Sequence, residues 1–576
     1  MRTDGAQSAM NPRSFRRPLG TSSLLLALGL ALSGCGGSSD GGDTGAPSTP
    51  TTPEAGEAFT VTDTTYVNTL LGYGEERAQA SYPAYIRSQA AGGDILWGTD
   101  LGLPVTLESD GGGEVTVYLF GDTDQLDLQW LQNTGQVRKL RAPYTEVAGH
   151  KGALEGDAIA VSADDDPSDG VHLDHVYRNR EAGESQRVCD LVDDDGFRAV
   201  YLQGVHKDAC TQQPLDHVPG SLNTTPTGAW AVGQRLFMLA GVQHPEKLQE
   251  ARSYLATSAD GGLHWTVLNG GAPFTARGFE ARFIHGFGLE ADAARYQDPQ
   301  QSGPCLLPLP KGGDTHGVLL FGSGLWKASD VYLAFLPRAA LLAAAADPNR
   351  AIERWYFGGT GFTGPNGQAC WSRDERDAVP IVQASDLSFY AQFEDACGTE
   401  LVHAGVGYTS VVHVDETLAD GTRIDRLVML LSPAYQGIRA DGSGLDADMG
   451  TVLITGDPMR PWVWNLKVGA GFDGRPPVQR AFRPLPVPAA TNRGLLPNEP
   501  DCKASGRSWK TVAGYAPLLI DRYTRLSADG MGVDLYFNVS RWDVPSRAGD
   551  PHAGDPVMAY HYVVDVMRTT LRPKPE

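Results

Sequence analysis

Short apolar runs bounded by turn residues recur along the chain from residue 94 to its end. They alternate or are wholly apolar, and Gly, Asp, Asn and Pro separate them, which is typical of strands rather than helices. The clearest runs are Val115–Phe120, Ala158–Ser162, Leu236–Ala240, Tyr254–Thr257, Val318–Phe321, Val331–Phe335, Leu427–Leu431, Val533–Val539 and Tyr562–Met567. One Ala-rich stretch, Arg338–Ala346, predicts a short helix that Asp347-Pro348 ends.

The pattern predicts an all-β fold of radially repeated sheets or a sandwich. Ser258–Trp265 has the form S-x-D-G-G-x-x-W and resembles the Asp box of sialidase-like propellers, a structural hairpin turn between two strands. Tyr254–Thr257 and the residues after Trp265 supply those strands. This motif favours a β-propeller, and the 69 Gly and 38 Pro residues fit many tight turns.

The N-terminus has the pattern of a secretory leader. A basic region with Arg13, Arg16 and Arg17 precedes the apolar run Leu24–Leu32, which is too short to stay in a membrane as a stop-transfer helix. Leu32-Ser33-Gly34-Cys35 resembles the bacterial lipobox, in which the Cys is diacylated; an ordinary secretory peptide with an incidental Cys is the alternative.

The predicted organisation is a signal peptide at 1–34, a flexible Gly/Ser/Thr/Pro tether at 35–57 and a β-propeller catalytic domain at 58–576. A lipid on Cys35 would hold a monomeric domain at a membrane of the bacterial cell envelope. Gly36 stands where inner-membrane lipoproteins carry Asp, which favours the outer membrane if the source has one.

The net charge limits the possible binding partners, and the cysteines indicate disulfides rather than a metal site. The net charge of -22 argues against nucleic acid. Without Cys35 six cysteines remain, enough for three disulfides, and the pairs nearest in sequence are Cys189–Cys210 and Cys370–Cys397. No C-x-x-C spacing suggests zinc, so no metal site is assigned.

Two aspartates are spaced symmetrically about a predicted turn. Ser109–Gly113 is a strong turn signal, and Asp100 lies eleven residues before Gly111 and Asp122 eleven after it. Two strands that meet at such a turn place equidistant residues opposite one another, so the carboxylates should face each other at the open end of a hairpin.

Paired carboxylates are the groups that glycoside hydrolysis needs, one as an acid and one as a base or nucleophile. The alternative is that Asp100 and Asp122 only cap turns. A third carboxylate, Asp157, opens the strand Ala158–Ser162 and could orient a substrate hydroxyl or tune a neighbouring pKa.

No cofactor is predicted. The acidic loops Asp164–Gly170 and Asp193–Gly196 could bind structural calcium but do not have EF-hand spacing, and solvated loops are the commoner outcome. His316 is the histidine that could line a pocket, although a hydrogen-bonded structural role is commoner. The chain has no HExxH motif or P-loop.

Motifs in order along the mature chain resemble the domain of unknown function 4185 family, some of whose members are endo-D-arabinanases on a five-bladed β-propeller. The matching segments are Gly98–Gly102, Phe120–Thr123, Gly156–Ile159, Asp166–Gly170, Pro226–Ala229, Ser258–Trp265, Gly322–Ala334, Tyr515–Pro517, Leu535–Trp542 and Tyr562–Thr569.

The resemblance implies that Asp100 and Asp122 are the catalytic pair. Trp97 and Trp326 could stack on sugar rings, with core packing as the alternative. Lys327 stands where the family commonly has Arg, which removes a bidentate fork of donors. Two segments, Ala440–Met449 and Arg475–Pro500, are predicted to be insertions that reshape the cleft.

The first functional hypothesis is a lipid-anchored glycoside hydrolase that cleaves a furanose polysaccharide such as D-arabinan, endo-acting and inverting. The second is a non-catalytic carbohydrate-binding or surface-assembly propeller, because one fold hosts many functions. A sialidase ranks third, because the Asp box suggests one but the expected arginine triad is not evident. The first two are separated by whether Asp100 and Asp122 share one open cleft near the propeller axis.

Overall fold

The computed structural model describes strands in five antiparallel sheets and a single helix longer than one turn. The described residues are 59–71, 96–109, 112–126, 139–140, 157–186, 198, 200, 202, 205, 223–243, 249–309, 313–325, 329–365, 367–383, 399–439, 444–448, 451–460, 462–464, 515–543 and 561–574. The predicted leader, Cys35 and the tether lie outside them. Within these ranges no helix is both long and apolar enough to span a membrane.

Each sheet is a blade of three or more consecutive strands, and we number the blades 1 to 5 along the chain. Blade 1 contains β2 (Leu96–Glu108), β3 (Glu114–Leu126), β4 (Lys139–Leu140), β5 (Ile159–Ser162) and β6 (His175–Val176). Blade 2 contains β7 (Asn223–Val232), β8 (Arg235–Gln243), β9 (Arg252–Ser258) and β10 (Thr266–Val267). Blade 3 contains β11 (His285–Asp292), β12 (His316–Ser323), β13 (Val331–Pro337), β14 (Trp355–Phe357), β15 (Trp371–Ser372) and β16 (Pro380–Val382).

The last two blades complete the set. Blade 4 contains β17 (Thr399–Thr417), β18 (Arg423–Arg439), β19 (Gly444–Asp448), β20 (Thr451–Thr455) and β21 (Val463–Trp464). Blade 5 contains β22 (Tyr515–Leu519), β23 (Arg525–Leu526), β24 (Val533–Asp543), β25 (His561–Pro573) and β1 (Phe59–Leu71). The helices are α1 (Pro299–Ser302) and α2 (Arg338–Ala346), with 3-10 turns at Asn269–Gly271, Gly278–Glu280, Ala293–Tyr296, Glu375–Asp377 and Asp521–Tyr523.

The blades close into a ring around an axis lined by their first strands. β2 contacts β7, β7 contacts β11, β11 contacts β17, β17 contacts β22, and β22 returns to β2. Neighbouring first strands run in the same direction, since Gly228 lies against Gly286 and Trp230 against Gly288. The fold is therefore a five-bladed β-propeller, as the sequence predicted.

The core is divided among the five blade interfaces. Side chains alternate across a strand, so Val117 and Leu119 of β3 pack toward blade 2 while Tyr118 and Phe120 pack toward blade 5. Similar apolar clusters fill the remaining three interfaces. Both faces of each sheet are thereby buried, which explains why several strands are wholly apolar.

The chain closes its own ring. β1 pairs antiparallel with β25 from Phe59 opposite Pro573 to Leu71 opposite Val564. The first described strand is thus the outermost strand of the last blade. This pairing leaves no gap between the beginning and the end of the propeller.

Hydroxyl groups link every pair of neighbouring blades near the ends at which the first strands begin, which we call the site face. At least one such hydrogen bond crosses each blade interface: Thr225 to Asp157 Oδ1 (3.0 Å), Thr227 to Ile284 O (2.5 Å), Ser323 to Gly407 O (3.0 Å), Ser410 to Pro517 O (3.3 Å) and Leu101 N to Ser540 Oγ (2.7 Å). We call these contacts the hydroxyl ring. Four of these five contacts pair a hydroxyl with a backbone group, and the fifth, from Thr225, goes to a carboxylate.

The predicted Asp box forms the expected hairpin between β9 and β10. Ser258 Oγ donates to Asp260 Oδ1 (2.7 Å) and accepts from Gly262 N (2.9 Å), and Asp260 also accepts from His264 N (3.0 Å). Trp265 packs partly buried against the core between blades 1 and 2. The Asp box is therefore a structural turn. The helix predicted at Arg338–Ala346 is also present.

The disulfide prediction at Cys370 is wrong. Cys370 bonds to Cys305, with 5.3 Å between the Cα atoms, and both are buried in blade 3. Sequence proximity favoured Cys397, but the fold brings the loop after β11 against the strand pair β14–β15. Cys189, Cys210, Cys397 and Cys502 lie outside the described residues.

Candidate active site

The β2–β3 hairpin has the turn and register that the spacing predicted over its lower part. Ser109 N donates to Gly113 O (2.7 Å), and Gly112 N donates to Ser109 O (3.0 Å). From Glu108 opposite Glu114 up to Leu103 opposite Leu119, partners are equidistant from Gly111.

Above Leu103 a bulge changes this register. Leu101 and Gly102 both have positive φ, 68° and 66°, and Asp100 pairs with Gly121 rather than with Asp122. The predicted direct pairing of Asp100 with Asp122 is therefore off by one residue. Left-handed backbone at a bulge inserts an extra residue and increases the local twist, which simple counting cannot anticipate.

Contacts from blade 5 hold the bulge in place. Besides the bond from Leu101 N to Ser540 Oγ, Asn538 Nδ2 donates to Gly102 O (2.6 Å). The Leu101 side chain is buried between blades 1 and 2. A non-glycine residue in left-handed conformation costs about 1–2 kcal/mol, which these tertiary contacts offset.

Asp100 and Asp122 are brought onto neighbouring strands at the site face. Asp122 directly follows the partner of Asp100, and directly paired Cα atoms in antiparallel strands lie about 4.5–5.5 Å apart. Their backbones belong to β2 and β3, while their carboxylates lie outside the described side chains. The assignment of both as catalytic residues stays a prediction.

Asp157 lies beside this pair. Its side chain is 4% exposed, and Oδ1 accepts the hydroxyl hydrogen bond of Thr225 in blade 2. A Cβ placed on Gly121 would lie 3.7 Å from Asp157 Oδ1 and 2.5 Å from Thr225 Oγ1. Gly121 therefore allows blade 2 to approach closely, and Asp157 lies next to the strand that carries Asp122; its role toward a substrate stays a prediction.

Two threonines fix the strand ends that carry the aspartates. Thr99 Oγ1 donates to Gly121 O (3.0 Å) and lies 2.7 Å from Thr123 Oγ1. Both threonines are buried. Thr99 precedes Asp100 and Thr123 follows Asp122, so these hydrogen bonds fix the backbone next to each aspartate.

A buried histidine near the axis was not predicted. His285 begins β11, its Nδ1 lies 3.0 Å from Gly324 O, and its ring meets the edge of Tyr408 from blade 4 at 4.9 Å. Complete burial lowers its pKa to about 4 despite the bond to the carbonyl, so the imidazole is neutral near pH 7. The only signal in the sequence is one polar residue in the stretch Phe283–Phe287, a pattern that usually means a satisfied core histidine.

His316, in contrast, is not near this site. It begins β12, whose other end, Ser323, reaches the hydroxyl ring. Its Nδ1 lies 2.8 Å from Asp314 Oδ1 on a partly exposed turn. The bonds from His316 hold the pKa of Asp314 below its usual range. The structure thus supports the hydrogen-bonded role.

The other predicted site residues are described in part or not at all. Trp97 belongs to β2, but its side chain lies outside the described set. Trp326, Lys327 and Cys35 lie wholly outside it, as does the acidic loop Asp193–Gly196. The roles proposed for these residues stay predictions.

In the other acidic loop, backbone and side-chain donors already engage the carboxylates. Asp164 accepts from the amides of Asp166 and His172, and Asp166 Oδ1 accepts from Ser168 N and Oγ. Arg525 also pairs with Asp166 at 3.3 Å. The bonds from Ser168, followed by that from Arg525, lower the pKa of Asp166. These contacts occupy the carboxylates of Asp164 and Asp166 within the protein, as expected of a structural turn.

One His–Asp cluster on blade 4 has the composition of a metal site. His413, Asp415 and Asp425 have ligand atoms within 4.8 Å of one another. Arg423 forms two 2.9 Å hydrogen bonds with Asp415, and Arg295 of blade 3 pairs with Asp425. The guanidinium groups make the cluster an ion-pair network that joins two blades.

Comparisons with known proteins find only remote structural likeness. No protein-family model matches the chain, and no curated protein does. An N-acetylgalactosamine deacetylase from F. plautii, in complex with blood group B trisaccharide, is 10% identical with a TM-score of 0.32, covering 88% of this chain and 95% of that one. The family 117 glycoside hydrolase Zg3597 from Zobellia galactanivorans is 9% identical with a TM-score of 0.31, covering 90% and 91%.

An α-L-arabinanase from Penicillium chrysogenum, complexed with arabinobiose, is 11% identical with a TM-score of 0.27, covering 88% of this chain and 98% of that one. The likeness to glycoside hydrolases is thus distant. Membership of the domain of unknown function 4185 family stays a prediction.

Proposed function

We propose that the protein is a glycoside hydrolase that cleaves a furanose polysaccharide such as D-arabinan within the chain. The observation that carries the proposal is the upper end of the β2–β3 hairpin. There Asp100 and Asp122 occupy neighbouring strands beside the buried Asp157, at the end of the propeller axis. A pair of aspartates on neighbouring strands at the end of the axis suits glycosidic bond cleavage.

In this reaction one of the two aspartates protonates the leaving oxygen, and the other activates water on the opposite side of the sugar. Crowded carboxylates do not share one pKa, because the charge on one disfavours ionisation of the next. In this proposal Asp157, held by the hydrogen bond from the Thr225 hydroxyl, orients a substrate hydroxyl beside the pair.

We assign an inverting mechanism to the pair, with Trp97 and Trp326 stacking on sugar rings and Lys327 contacting hydroxyls. An inverting enzyme keeps its carboxyl groups about 6.5–9.5 Å apart, against about 5–5.5 Å in a retaining one. The anomer released first, followed by NMR during the reaction, distinguishes the two mechanisms. In this proposal, the lipid on Cys35 keeps the propeller at the cell envelope, within reach of extracytoplasmic glycan.

The test uses the chain without residues 1–57 on D-arabinan, L-arabinan and galactan. Asp100→Asn and Asp122→Asn should each lower the rate on the preferred polymer by about a hundredfold or more, because an acid or base contributes about 10²–10⁴. Asp169→Asn, on the exposed acidic loop, is the matched control and should retain full activity. Cleavage unchanged in both site variants would refute the assignment, and polymer binding without cleavage would favour a non-catalytic propeller.

A further inference from the structure

Blade 4 extends farther beyond the hydroxyl ring than the other blades do in the described residues. The ring crosses β17 at Gly407, but β17 begins at Thr399, and β18 continues past the same level from Pro433 to Arg439. β19 pairs with this part of β18, from Ala434 opposite Asp448 to Ile438 opposite Gly444. We call residues 399–406, 433–439 and 444–448 the arm.

The arm stands on the site face. β17 runs from the arm through Tyr408 and on to Thr417, parallel to β2, which runs from Asp100 through Leu101 to Glu108. At about 3.3 Å per residue, the seven residues Thr399–Gly405 span about 20 Å. By comparison, β7 begins two residues before Thr225, and β11 begins at His285 itself.

The base of the arm is held by blade 3. Val406 N donates to Ser329 O (2.8 Å), and Ser329 Oγ accepts from Gly324 N (2.7 Å). The carbonyl of Gly324 is in turn the partner of His285. The arm is therefore tied to the same polar contacts that organise the site face.

The edge of β17 that lies away from β18 faces the axis. Among the described strands β17 pairs only with β18 along the arm, and lower down it contacts β11 and β22, the neighbouring first strands. An edge strand presents a row of N–H and C=O groups. Such a row suits sugar hydroxyls, which both donate and accept hydrogen bonds.

We propose that the arm binds the polysaccharide chain outside the cleavage point and so makes the enzyme prefer polymer to short oligosaccharide. The inference rests on the proposed function. It adds a binding surface for the part of the polysaccharide that lies beyond the cleaved bond. A furanose chain with its cleaved bond at Asp100 and Asp122 continues over the site face, and the arm supplies a surface long enough for several sugar units.

The test shortens the arm in the full chain without altering blade 4 below it. Gln436–Asp446 is replaced by Asn-Gly, so that the paired residues Tyr435 and Ala447 flank a two-residue hairpin turn. Asp420→Asn, in the turn at the other end of the β17–β18 hairpin, is the control. Thermal unfolding should show that both variants fold.

The specificity constant kcat/KM is then measured on D-arabinan and on a tetrasaccharide of D-arabinofuranose. The shortened variant should lose at least tenfold on the polymer while staying within twofold on the tetrasaccharide, and Asp420→Asn should match the parent on both. Equal changes on the two substrates, or no change on either, would overturn the inference.

A milder variant keeps the test informative if shortening impairs folding. Val402 lies at a register shift between the paired residues Leu401 and His403 and has no cross-strand partner in β18. Val402→Pro removes one backbone N–H donor from the arm, and it should lower kcat/KM on the polymer alone.

Failure of the proposed function gives a different result. If the parent chain cleaves neither substrate but D-arabinan retards it in an affinity gel, the hydrolase proposal fails. Loss of that retardation in the shortened variant would still support the arm as the binding surface. A parent chain that neither cleaves nor binds D-arabinan overturns both.

Discussion

The amide of Leu101 in blade 1 donates a 2.7 Å hydrogen bond to the hydroxyl of Ser540 in blade 5. The two residues are 439 positions apart, and the bond closes the hydroxyl ring at the bulge next to Asp100. This contact joins blade 5 directly to the strand that carries Asp100. A change at Ser540, far from Asp100 in sequence, can therefore alter the candidate active site.

Ser540→Ala should destabilise the protein and lower its activity together. The substitution leaves the buried amide of Leu101 without its acceptor, which costs about 1–3 kcal/mol. Urea unfolding measures the loss of stability, and the initial rate on polymer measures the loss of activity. Ser168→Ala, an exposed hydroxyl on blade 1, should change neither by a comparable amount; a Ser540 variant as stable and active as the parent would contradict this view of the bulge.

Gly121→Ala should impair the site through Thr225. The added Cβ would lie 2.5 Å from Thr225 Oγ1, closer than real Cβ contacts occur, so the Thr225 side chain, blade 2 or the strand that carries Asp122 must shift. We expect a fall in free energy of unfolding of about 1–3 kcal/mol and a lower rate on polymer.

The double variant Gly121→Ala with Thr225→Ala removes the collision and should recover part of the lost stability. Gly361→Ala, where a Cβ meets nothing within 4 Å, is the control. If the double variant is no more stable than the single one, the close approach of the blades is not what requires glycine.

His285 should make stability depend on pH below neutrality. Burial lowers its folded pKa to about 4, whereas an unfolded histidine titrates near about 6.5. Between these values the unfolded chain binds more protons, so this contribution is present above about pH 6.5 and is lost as the pH falls toward 4, by up to about 1.4 kcal/mol per pH unit.

The measurement is urea unfolding of the parent and of His285→Asn at pH 7.0 and pH 4.5. Asn can still donate toward Gly324 O but does not titrate, so its stability should fall less over this range. An identical pH dependence in both proteins would show that the imidazole does not titrate as its burial requires.

Removal of the Cys305–Cys370 disulfide should destabilise blade 3. The bond closes a loop across a sequence separation of 65, for which the chain-entropy estimate is about 4 kcal/mol as an upper value. Cys305→Ala and Cys370→Ala should have the same effect, and the double variant should add little. Peptide mapping under non-reducing conditions should recover a Cys305–Cys370 linked pair, and recovery of Cys370 linked to Cys397 would contradict the pairing.

The hairpin that carries Asp100 and Asp122 shows how far sequence reasoning reaches. The turn at Ser109–Gly113 and the register up to Leu103 were predictable, because a tight turn and two alternating strands are local features. The one-residue shift at Leu101 was not, because contacts with Ser540 and Asn538 of another blade stabilise it.

The histidines make the same point. His316 precedes a recognisable motif and was the natural candidate, yet the direction of β12 puts it at the opposite end from the site face. His285 lies near the axis but follows an ordinary apolar segment. The sequence shows that a residue lies at the start of a strand. Which face of the propeller that residue reaches depends on the direction of the strand in the assembled fold.

The sequence by itself determined the β class, the individual strands, the Asp box hairpin and the carboxylates worth considering, because each depends on spacing between near neighbours. Tertiary structure alone decided the partner of Cys370, the bulge beneath Asp100, the contact of Asp157 with blade 2 and the ring of hydroxyls. These features arise where strands distant in sequence pack around one axis, and close packing there selects residues by space and by hydrogen-bonding partners that no local pattern records.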